Sequence, residues 1–256
     1  MGKIVSILSG KGGTGKTITS INLSLALRTF NQKVVLIDGN ISMPHISTYL
    51  GINSWKYTLN DFLSGKDFKR EALVNYNGIK LLISSPDLKD LVNIDLKKLR
   101  RVVENIKEEE KPDFIIIDGP PGIGKETISI IEVSNEILVV IQPFEQNIID
   151  AIKIKEIAES LNKIKIKVIL NNGFWLHKKK IEEMEKILRM EVIGFVPNNK
   201  SLMFSLVNKL PILEEKPNSL IAEMFKEIAA KLCEEEYKES WKFKLFKSFN
   251  DLVSYF

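Results

Sequence analysis

The sequence predicts an α/β fold in which a doubly wound, mostly parallel β-sheet carries helices on both faces. Short apolar runs alternate with helical patterns along the chain, which is typical of successive βαβ units. Most of the runs are continuously apolar, as expected for strands that are buried on both faces. The chain has 256 residues, of which 44% are hydrophobic, and this is enough for one sizeable core.

Seven apolar runs are predicted to be strands. They are Ile4–Leu8, Val34–Ile37, Ile79–Ile83, Phe114–Ile117, Ile137–Ile141, Ile166–Leu170 and Val192–Val196. Apolar periodicity predicts five longer helices between or after them. These helices are Thr17–Thr29, Leu96–Lys107, Ile148–Leu161, Lys178–Arg189 and Ser219–Glu235. The stretch Tyr57–Gly65 predicts a short amphipathic helix that ends at a glycine and has a packing role.

The loop after the first strand matches the phosphate-binding pattern G-x-x-x-x-G-K-[ST] without a mismatch. It reads Gly10-Lys11-Gly12-Gly13-Thr14-Gly15-Lys16-Thr17. The strand before it and the helix after it provide the context that this motif requires, which a chance glycine-rich turn would not explain. Its glycines and the helix N-terminus offer backbone N–H groups to phosphate oxygens. We expect Lys16 to reach the β- and γ-phosphates and the Thr17 hydroxyl to bind Mg²⁺.

Lys11 places a second lysine inside this loop. The resulting sequence Lys-Gly-Gly-Thr-Gly-Lys-Thr resembles the deviant Walker A motif of the MinD/ParA group of ATPases, with archaeal MinD-like proteins the nearest in pattern. The resemblance implies a P-loop NTPase fold of the SIMIBI class, with ATP and Mg²⁺ as cofactors. It also implies a nucleotide sandwich dimer in which Lys11 touches the ATP phosphates of the partner copy. The alternative is an ordinary surface lysine beside a loop.

The second predicted strand is followed by Asp38, a carboxylate well placed to hold the hydration shell of Mg²⁺. MinD-like proteins carry the switch I pattern D-x-D-x-x-x-x-N here. Asp38 matches its first position, whereas Asn40 and His45 depart from the other two. Asparagine can orient a water molecule but cannot accept its proton. The resemblance therefore implies slow hydrolysis, with Lys11, Lys16, Asp38 and Asn40 as the catalytic set and with nucleotide binding retained.

The fourth predicted strand ends at Asp118, as a Walker B strand does. We expect Asp118 to hold a magnesium-bound water, so that Thr17, Asp38 and Asp118 form the metal set. The Gly-Pro-Pro-Gly sequence that follows resembles the switch II loop of the same family. Gly119 or Gly122 is then expected to present a backbone N–H to the γ-phosphate. A plain β-turn after a buried strand is the alternative.

Base recognition is predicted from the resemblance alone. Family members place an asparagine that pairs with adenine where Asn171 stands, and a second base contact comes from the loop that begins at Pro197. That loop usually has an acidic residue near the proline, but Asn198 and Asn199 follow it here. The Asn-Asn-Gly sequence at Asn171 is also an ordinary turn signal.

The sequence changes character after Glu236, which predicts an ATPase domain at residues 1–236 and an amphipathic membrane-targeting helix at residues 237–256. Its apolar side chains fall within about 140° of arc at 100° per residue. Such a face, with lysines around it, fits a helix that lies in an anionic membrane interface, as in MinD proteins. The residues assigned to the membrane are Trp241, Lys244, Leu245, Phe246, Lys247, Phe249, Leu252, Val253 and Phe256. A terminal helix docked on its own domain is the alternative, because an aromatic stripe also suits a core.

Together these features predict an ATP-dependent dimerising ATPase that binds membrane reversibly and acts as a spatial regulator of cell division or surface machinery. The resemblance implies an unidentified activating or cargo protein. No signal peptide and no apolar run of ~18–20 residues is evident, so we expect a cytoplasmic protein, peripheral on the inner face of the cell membrane.

Two alternatives to this function stay open, a ParA-like partitioning ATPase on DNA and a hydrolysis-impaired scaffold. The chain has 37 basic and 33 acidic residues, and its net charge of +4 is too small to argue for a nucleic-acid partner. A cluster-carrying member of the same superfamily is disfavoured, because the single cysteine, Cys233, provides no set of iron–sulfur ligands.

Overall fold

A computed structural model describes residues 2–161, 164–173 and 178–253. Within these residues one eight-stranded sheet forms the centre of the fold. Its strands are β1 (Lys3–Ser9), β2 (Val34–Asp38), β3 (Leu73–Tyr76), β4 (Ile79–Leu82), β5 (Phe114–Pro121), β6 (Glu136–Ile141), β7 (Lys165–Gly173) and β8 (Glu191–Pro197). Their order across the sheet is β3-β4-β2-β5-β1-β6-β7-β8. All neighbours are parallel except β3 and β4, which are antiparallel.

Helices cover both faces of this sheet. They are α1 (Lys16–Arg28), α2 (Ile46–Leu50), α3 (Leu59–Leu63), α4 (Leu99–Glu110), α5 (Lys125–Val133), α6 (Glu145–Leu161), α7 (Lys178–Leu188), α8 (Lys200–Val207), α9 (Ile212–Glu215), α10 (Leu220–Cys233) and α11 (Trp241–Val253). Buried side chains of α1, α2, α8, α9, α10 and α11 share one core cluster. Those of α3, α4, α5, α6 and α7 share the other, so the predicted doubly wound fold is confirmed.

The predicted strands are all present, but several other elements were not predicted from the sequence. The edge strand β3 is short and only partly buried, and it contains a polar residue at Asn75, so it lacks the continuous apolar run of the central strands. The helices α2, α5, α8 and α9 were also missed. The predicted helix Leu96–Lys107 begins as a 3₁₀ turn at Leu96–Lys98, and its α-helical part starts at Leu99.

The register of the central strands brings two carboxylates together. β2 and β5 pair in parallel, and Asp38 lies directly opposite Asp118. Asp38 ends β2, whereas β5 continues past Asp118, where the predicted strand ended, to Pro121. β5 in turn lies beside β1, from whose carboxyl end the phosphate-binding loop departs. Ligands of parallel α/β sheets bind at this edge.

The C-terminal helix α11 packs on the rest of the chain. Phe243, to which the sequence analysis gave no role, is 1% exposed and belongs to the core cluster of α1 and α10. Phe246 packs against the same cluster, whereas Trp241 and Leu245 are exposed. The side chains of Phe249, Leu252 and Val253 and the whole of Phe256 lie outside the described residues, so their assignment to the membrane stays a prediction.

Among the described residues, no helix is both long enough and apolar enough to cross a bilayer.

Candidate functional site

The loop from Gly10 to Gly15 joins the end of β1 to the start of α1, and its glycines shape it. Gly13 and Gly15 have φ values of 75° and 92°, in the left-handed region that favours glycine. A Cβ on Gly15 would lie 2.0 Å from Asn171 Nδ2, whereas a Cβ on Gly13 would meet no atom within 4 Å. The N-terminal amides of α1 follow directly, and such free N–H groups bind anions.

Lys16 lies inside this loop rather than in solvent. Its Nζ donates to Ser9 Oγ at 2.8 Å, and Ser9 Oγ donates to the carbonyl of Lys11 at 2.7 Å. Burial lowers the pKa of Lys16, while the negative charge of Asp118 opposes that shift. A buried ammonium held by a neutral hydroxyl is well suited to pair with phosphate oxygens.

Asp118 accepts two hydroxyl hydrogen bonds from α1. Thr17 Oγ1 donates to its Oδ2 at 2.6 Å, and Ser20 Oγ donates to its Oδ1 at 2.8 Å. Burial raises the pKa of Asp118, and these two hydrogen bonds and the charge of Lys16 partly offset the shift. The hydroxyl of Thr17 and the carboxylates of Asp38 and Asp118 are hard oxygen donors, which Mg²⁺ prefers.

Asp38 is fully buried and accepts three backbone hydrogen bonds from the segment that follows it. Asn40 N donates to Oδ1 at 3.3 Å, and the N–H groups of His45 and Ile46 donate to Oδ2, each at 3.1 Å. Burial and repulsion from Asp118 raise the pKa of Asp38 well above its usual value, and the three amides partly oppose this. Asp38 therefore closes the segment 39–46 into a loop as well as standing beside Asp118.

Asn40 and His45, which depart from the MinD pattern, have different surroundings. Asn40 is buried, and its Nδ2 donates to the carbonyl of Met43 within the same loop. His45 is exposed, and its ring stacks on Tyr49 with 5.9 Å between centroids. The amide of Asn40 thus contributes to the conformation of the loop, a contact that its predicted role of orienting water did not include.

Gly122 joins the segment after β5 to the end of β1. Its N–H, which was predicted to face the γ-phosphate, donates to the carbonyl of Ser9 at 3.0 Å, and its φ is 84°. Thr127 Oγ1 donates to the carbonyl of Gly122 at 2.8 Å, so the first turn of α5 holds the same glycine. Gly119 is packed tightly, because a Cβ there would lie 2.4 Å from Leu8 Cδ2.

The two residues predicted to contact the base lie on the neighbouring strands β7 and β8. Asn171 is buried, and its Nδ2 donates to the carbonyl of Thr14 at 2.7 Å, so it braces the phosphate-binding loop. Pro197 ends β8 one strand further away, opposite Gly173. Asn199 Oδ1 accepts from Ser201 N and caps α8. The adenine contacts of Asn171 and Pro197 stay predictions.

Several residues at the site were missed by the sequence analysis. Ser9 and Ser20 make the contacts described above. Gln142 Nε2 donates to the carbonyl of Gly13 at 3.5 Å. Asp150 packs closely on Gly10, because a Cβ on Gly10 would lie 2.1 Å from Asp150 Cβ. Only Ser20 had a usable signal, since it lies three residues after Thr17 and so shares its helix face. The others depend on contacts between distant segments.

These residues fit a nucleoside triphosphate with Mg²⁺. Within the part of the chain that the structure describes, Thr14 Oγ1 is buried without a hydrogen-bond partner and so remains available to a ligand. The glycine loop, the buried Lys16 and the paired carboxylates provide groups for phosphates and for a hard cation. Fold and site together define the chain as a P-loop NTPase.

Comparison with known proteins gives the family. The chain belongs to the ParA family, whose sequence model, described as NUBPL iron-transfer P-loop NTPase, matches residues 1–233. An ATP-binding protein of Methanocaldococcus jannaschii is 34% identical over 242 residues, which cover 94% of this chain and 91% of that protein.

Solved structures of MinD proteins are similar throughout the fold. The MinD of Pyrococcus horikoshii, complexed with Mg-ADP, has a TM-score of 0.82 and 28% identity, covering 91% of this chain and 96% of its own. The MinC:MinD complex of Aquifex aeolicus contains a chain with a TM-score of 0.82 and 29% identity, covering 93% of this chain and 98% of its own. The resemblance to the MinD/ParA group is therefore confirmed.

Proposed function

We propose that this protein is a MinD-like switch ATPase that binds ATP and Mg²⁺, dimerises around the nucleotide and attaches reversibly to an anionic membrane. Lys11 is the observation that carries the proposal. It lies exposed within the phosphate-binding loop, and no carboxylate of the described residues is within ion-pair distance of its Nζ. An unpaired, exposed lysine in a phosphate-binding loop would be available to the ATP of a second copy.

The surface around the loop supports a dimer. Some of the large exposed hydrophobic side chains lie on segments that follow the carboxyl ends of strands, namely the loop after β2, the start of α6 and α8. They are Met43, Phe144, Ile149, Met203, Phe204 and Val207. Exposed apolar side chains on one side of a protein are typical of interaction surfaces. A second copy placed over this edge would cover them and bring two phosphate-binding loops together.

In the proposed reaction, bound Mg²⁺ supplies a Lewis acid that neutralises phosphate charge. Lys16 would pair with the β- and γ-phosphate oxygens, and Thr17 would offer its hydroxyl to the metal. Asp118 and Asp38 would hold metal-bound water. Asn40 would orient the attacking water without accepting its proton, so turnover would be slow. Gly122 would exchange Ser9 for the γ-phosphate, which couples the segment after β5 to the nucleotide.

The C-terminal segment 237–256, here called the tail, supplies the proposed membrane contact. Trp241 and Leu245 are exposed on α11, with Lys242 and Lys244 beside them. One such helix binds an anionic surface weakly, whereas a dimer presents two and gains avidity. Attachment to the inner face of the cell membrane would then depend on ATP. The proposed role is spatial regulation of cell division or surface machinery, through an activating or cargo protein that the chain recruits.

Co-sedimentation with anionic vesicles tests the proposal, comparing ATP, ADP and no nucleotide. The proteins are the full chain, a truncation after Glu236 and the double variant W241S/L245S. The side chains of Trp241 and Leu245 are exposed, so we expect their replacement to leave α11 docked. We expect ATP to strengthen pelleting of the full chain and both changes to abolish it. Pelleting that does not depend on nucleotide, or that persists in both the truncation and W241S/L245S, would contradict the proposal.

A hydrolysis-impaired MinD-like scaffold is the second candidate, and Asn40 is the observation that favours it. The side chain of Asn40 is buried and bound within its own loop, where MinD-like proteins carry a carboxylate. A scaffold would bind ATP, dimerise and reach the membrane, but it would not release phosphate. Single-turnover measurement of phosphate release from pre-bound ATP separates the two candidates.

A further inference from the structure

Helix α11 is held on the ATPase domain by an aromatic cluster. Phe243 of α11 is almost fully buried and belongs to the core cluster that includes α1 and α10. Its ring contacts Tyr237 at 6.4 Å and stacks on Phe246 at 6.3 Å, measured between centroids. Tyr237 in turn contacts Phe30, just after α1, at 6.3 Å. The aromatic contacts therefore link α11, through Tyr237, to the turn after α1.

An ion-pair cluster holds the next turn of the helix. Lys247 Nζ donates to Glu227 Oε1 on α10 at 2.9 Å and also to Glu239 in the segment before α11. The same ammonium lies over the ring of Phe243, 4.7 Å from its centroid. Glu227 and Glu239 are themselves about three-quarters buried, so the cluster is partly shielded from solvent. Partly shielded pairs hold more strongly than exposed ones.

The docking face of α11 overlaps the face that would meet a membrane. At about 100° per residue, Phe246 and Phe243 lie about 140° and 200° around the helix from Trp241. Trp241 and Leu245, 71% and 63% exposed, form the adjoining solvent face. Phe246 and Lys247 belong to both sets, because they contact the domain here and are also assigned to the membrane. The domain covers part of each side chain, and that part is not available to lipid while α11 is docked.

We propose that the docked α11 is an autoinhibitory latch, in which the ATPase domain and an anionic lipid surface compete for the same helix. Phe243 and the Lys247–Glu227–Glu239 cluster hold the helix closed, and only its Trp241 side is then available. Full insertion of α11 into the lipid surface requires the helix to leave the ATPase domain. A stronger latch therefore makes a single copy attach more weakly to the membrane. This inference rests on the proposed membrane function of the tail.

The sharpest test removes the carboxylates that hold Lys247. In E227Q/E239Q, Lys247 loses both carboxylate partners while the sequence of α11 itself is unchanged. Because Glu239 lies in the predicted membrane-targeting segment 237–256, E227Q alone is the variant that changes only the ATPase domain. Hydrogen exchange of the α11 amides in solution measures docking, and pelleting with phosphatidylcholine–phosphatidylglycerol vesicles without nucleotide measures attachment. We expect faster exchange in α11 and about three- to tenfold stronger pelleting, as loss of a partly shielded ion-pair cluster predicts.

The matched control is E104Q/E108Q. Both glutamates are exposed on α4, which packs on the opposite face of the sheet, and the variant makes the same change in net charge. It should leave α11 exchange and pelleting as in the unchanged protein. Equal gains in pelleting for both double variants would mean that net charge alone is responsible and would overturn the latch.

A second variant, F243A, removes the buried anchor. It also makes the tail less apolar, so stronger pelleting despite this loss would support the latch directly. If α11 exchanges faster in either variant while ATP-dependent pelleting is present and unchanged, the latch is overturned but the proposed function stands. If no protein pellets under any nucleotide, the membrane function fails and the latch falls with it.

Discussion

Asn40 is the residue at which this chain departs most clearly from the MinD pattern, and it gives a direct prediction. Replacing the amide in N40D supplies a carboxylate that can accept a proton from water, so we expect ATP turnover to rise by about a hundredfold, the low end of the range for general-base catalysis. The variant also loses the Nδ2 donor to Met43. Steady-state phosphate release at saturating ATP measures the effect.

N40A is the control for this prediction, since it loses the same loop contact but gains no base. Turnover that rises equally in N40A and N40D would show that loosening the loop, and not the carboxylate, limits hydrolysis. Turnover that rises in neither would show that Asn40 does not limit the rate.

Gly13 and Gly15 form a matched pair within the phosphate-binding loop. Both have positive φ, so G13A and G15A should each cost about 1–2 kcal/mol of folding free energy from backbone strain. Only at Gly15 does a Cβ collide with Asn171, which must then release Thr14. The loss of that hydrogen bond adds about 1 kcal/mol. We expect G15A to unfold at lower denaturant than G13A and to bind ATP more weakly.

The hydrogen bond from Asn171 to Thr14 allows a test of coupling between Gly15 and Asn171. If G15A acts by displacing Asn171, then N171A removes the same contact, and the double variant G15A/N171A should be no less stable than G15A alone. Additive losses in denaturant unfolding would show that Asn171 does not transmit the effect of Gly15.

At the scale of elements, the end of α4 is tied to the sheet by one buried carboxylate. Glu110 pairs with Arg70 Nε at 2.6 Å, and it also pairs with Lys80 on β4 and with Lys33. Burial tends to raise the pKa of Glu110, but its hydrogen bonds to Lys80 and Arg70 outweigh this and lower the pKa. Removing the charge in E110Q leaves these cations without their partner.

This lowered pKa fixes the direction of the pH dependence. A carboxyl whose pKa is lower in the folded state stabilises the protein above its unfolded pKa, and this stability is lost as the pH falls through the folded pKa. We expect E110Q to cost about 1–3 kcal/mol at pH 7, as for charged hydrogen bonds, and less below about pH 4. Urea unfolding at both pH values measures this, with E104Q on the same helix as the exposed control. A difference that is constant with pH would contradict the prediction.

The elements also show what the sequence can and cannot predict. Central strands were found because burial on both faces demands continuous apolar runs, and the phosphate-binding loop was found because its glycines and lysine are local. The edge strand β3 carries no such run. Phe243 was overlooked because its burial depends on where α11 meets α10, which is a tertiary contact. The Ser9–Lys16 and Asn171–Thr14 hydrogen bonds were missed for the same reason.

At the scale of the whole molecule, the proposed dimer depends on a lysine that the monomer does not use. Lys16 is buried in its own loop, whereas Lys11 is exposed, so the two lysines should separate binding from assembly. We expect K16A to lose ATP affinity and dimerisation together. K11A should keep its ATP affinity within about threefold, because a solvent-exposed charge contributes little to a buried site, and yet fail to dimerise.

The size of the K11A effect follows from symmetry. In a two-fold dimer each contact occurs twice, so two charged hydrogen bonds of about 1.5–3 kcal/mol each are lost, and dimerisation should weaken at least a hundredfold. Analytical ultracentrifugation with a non-hydrolysable ATP analogue measures this, and fluorescent nucleotide titration measures binding in the same samples. Since both the avidity of α11 and the covering of the apolar edge depend on assembly, K11A should also lose ATP-dependent pelleting with vesicles. A K11A protein that still dimerises would remove the observation on which the proposed switch rests.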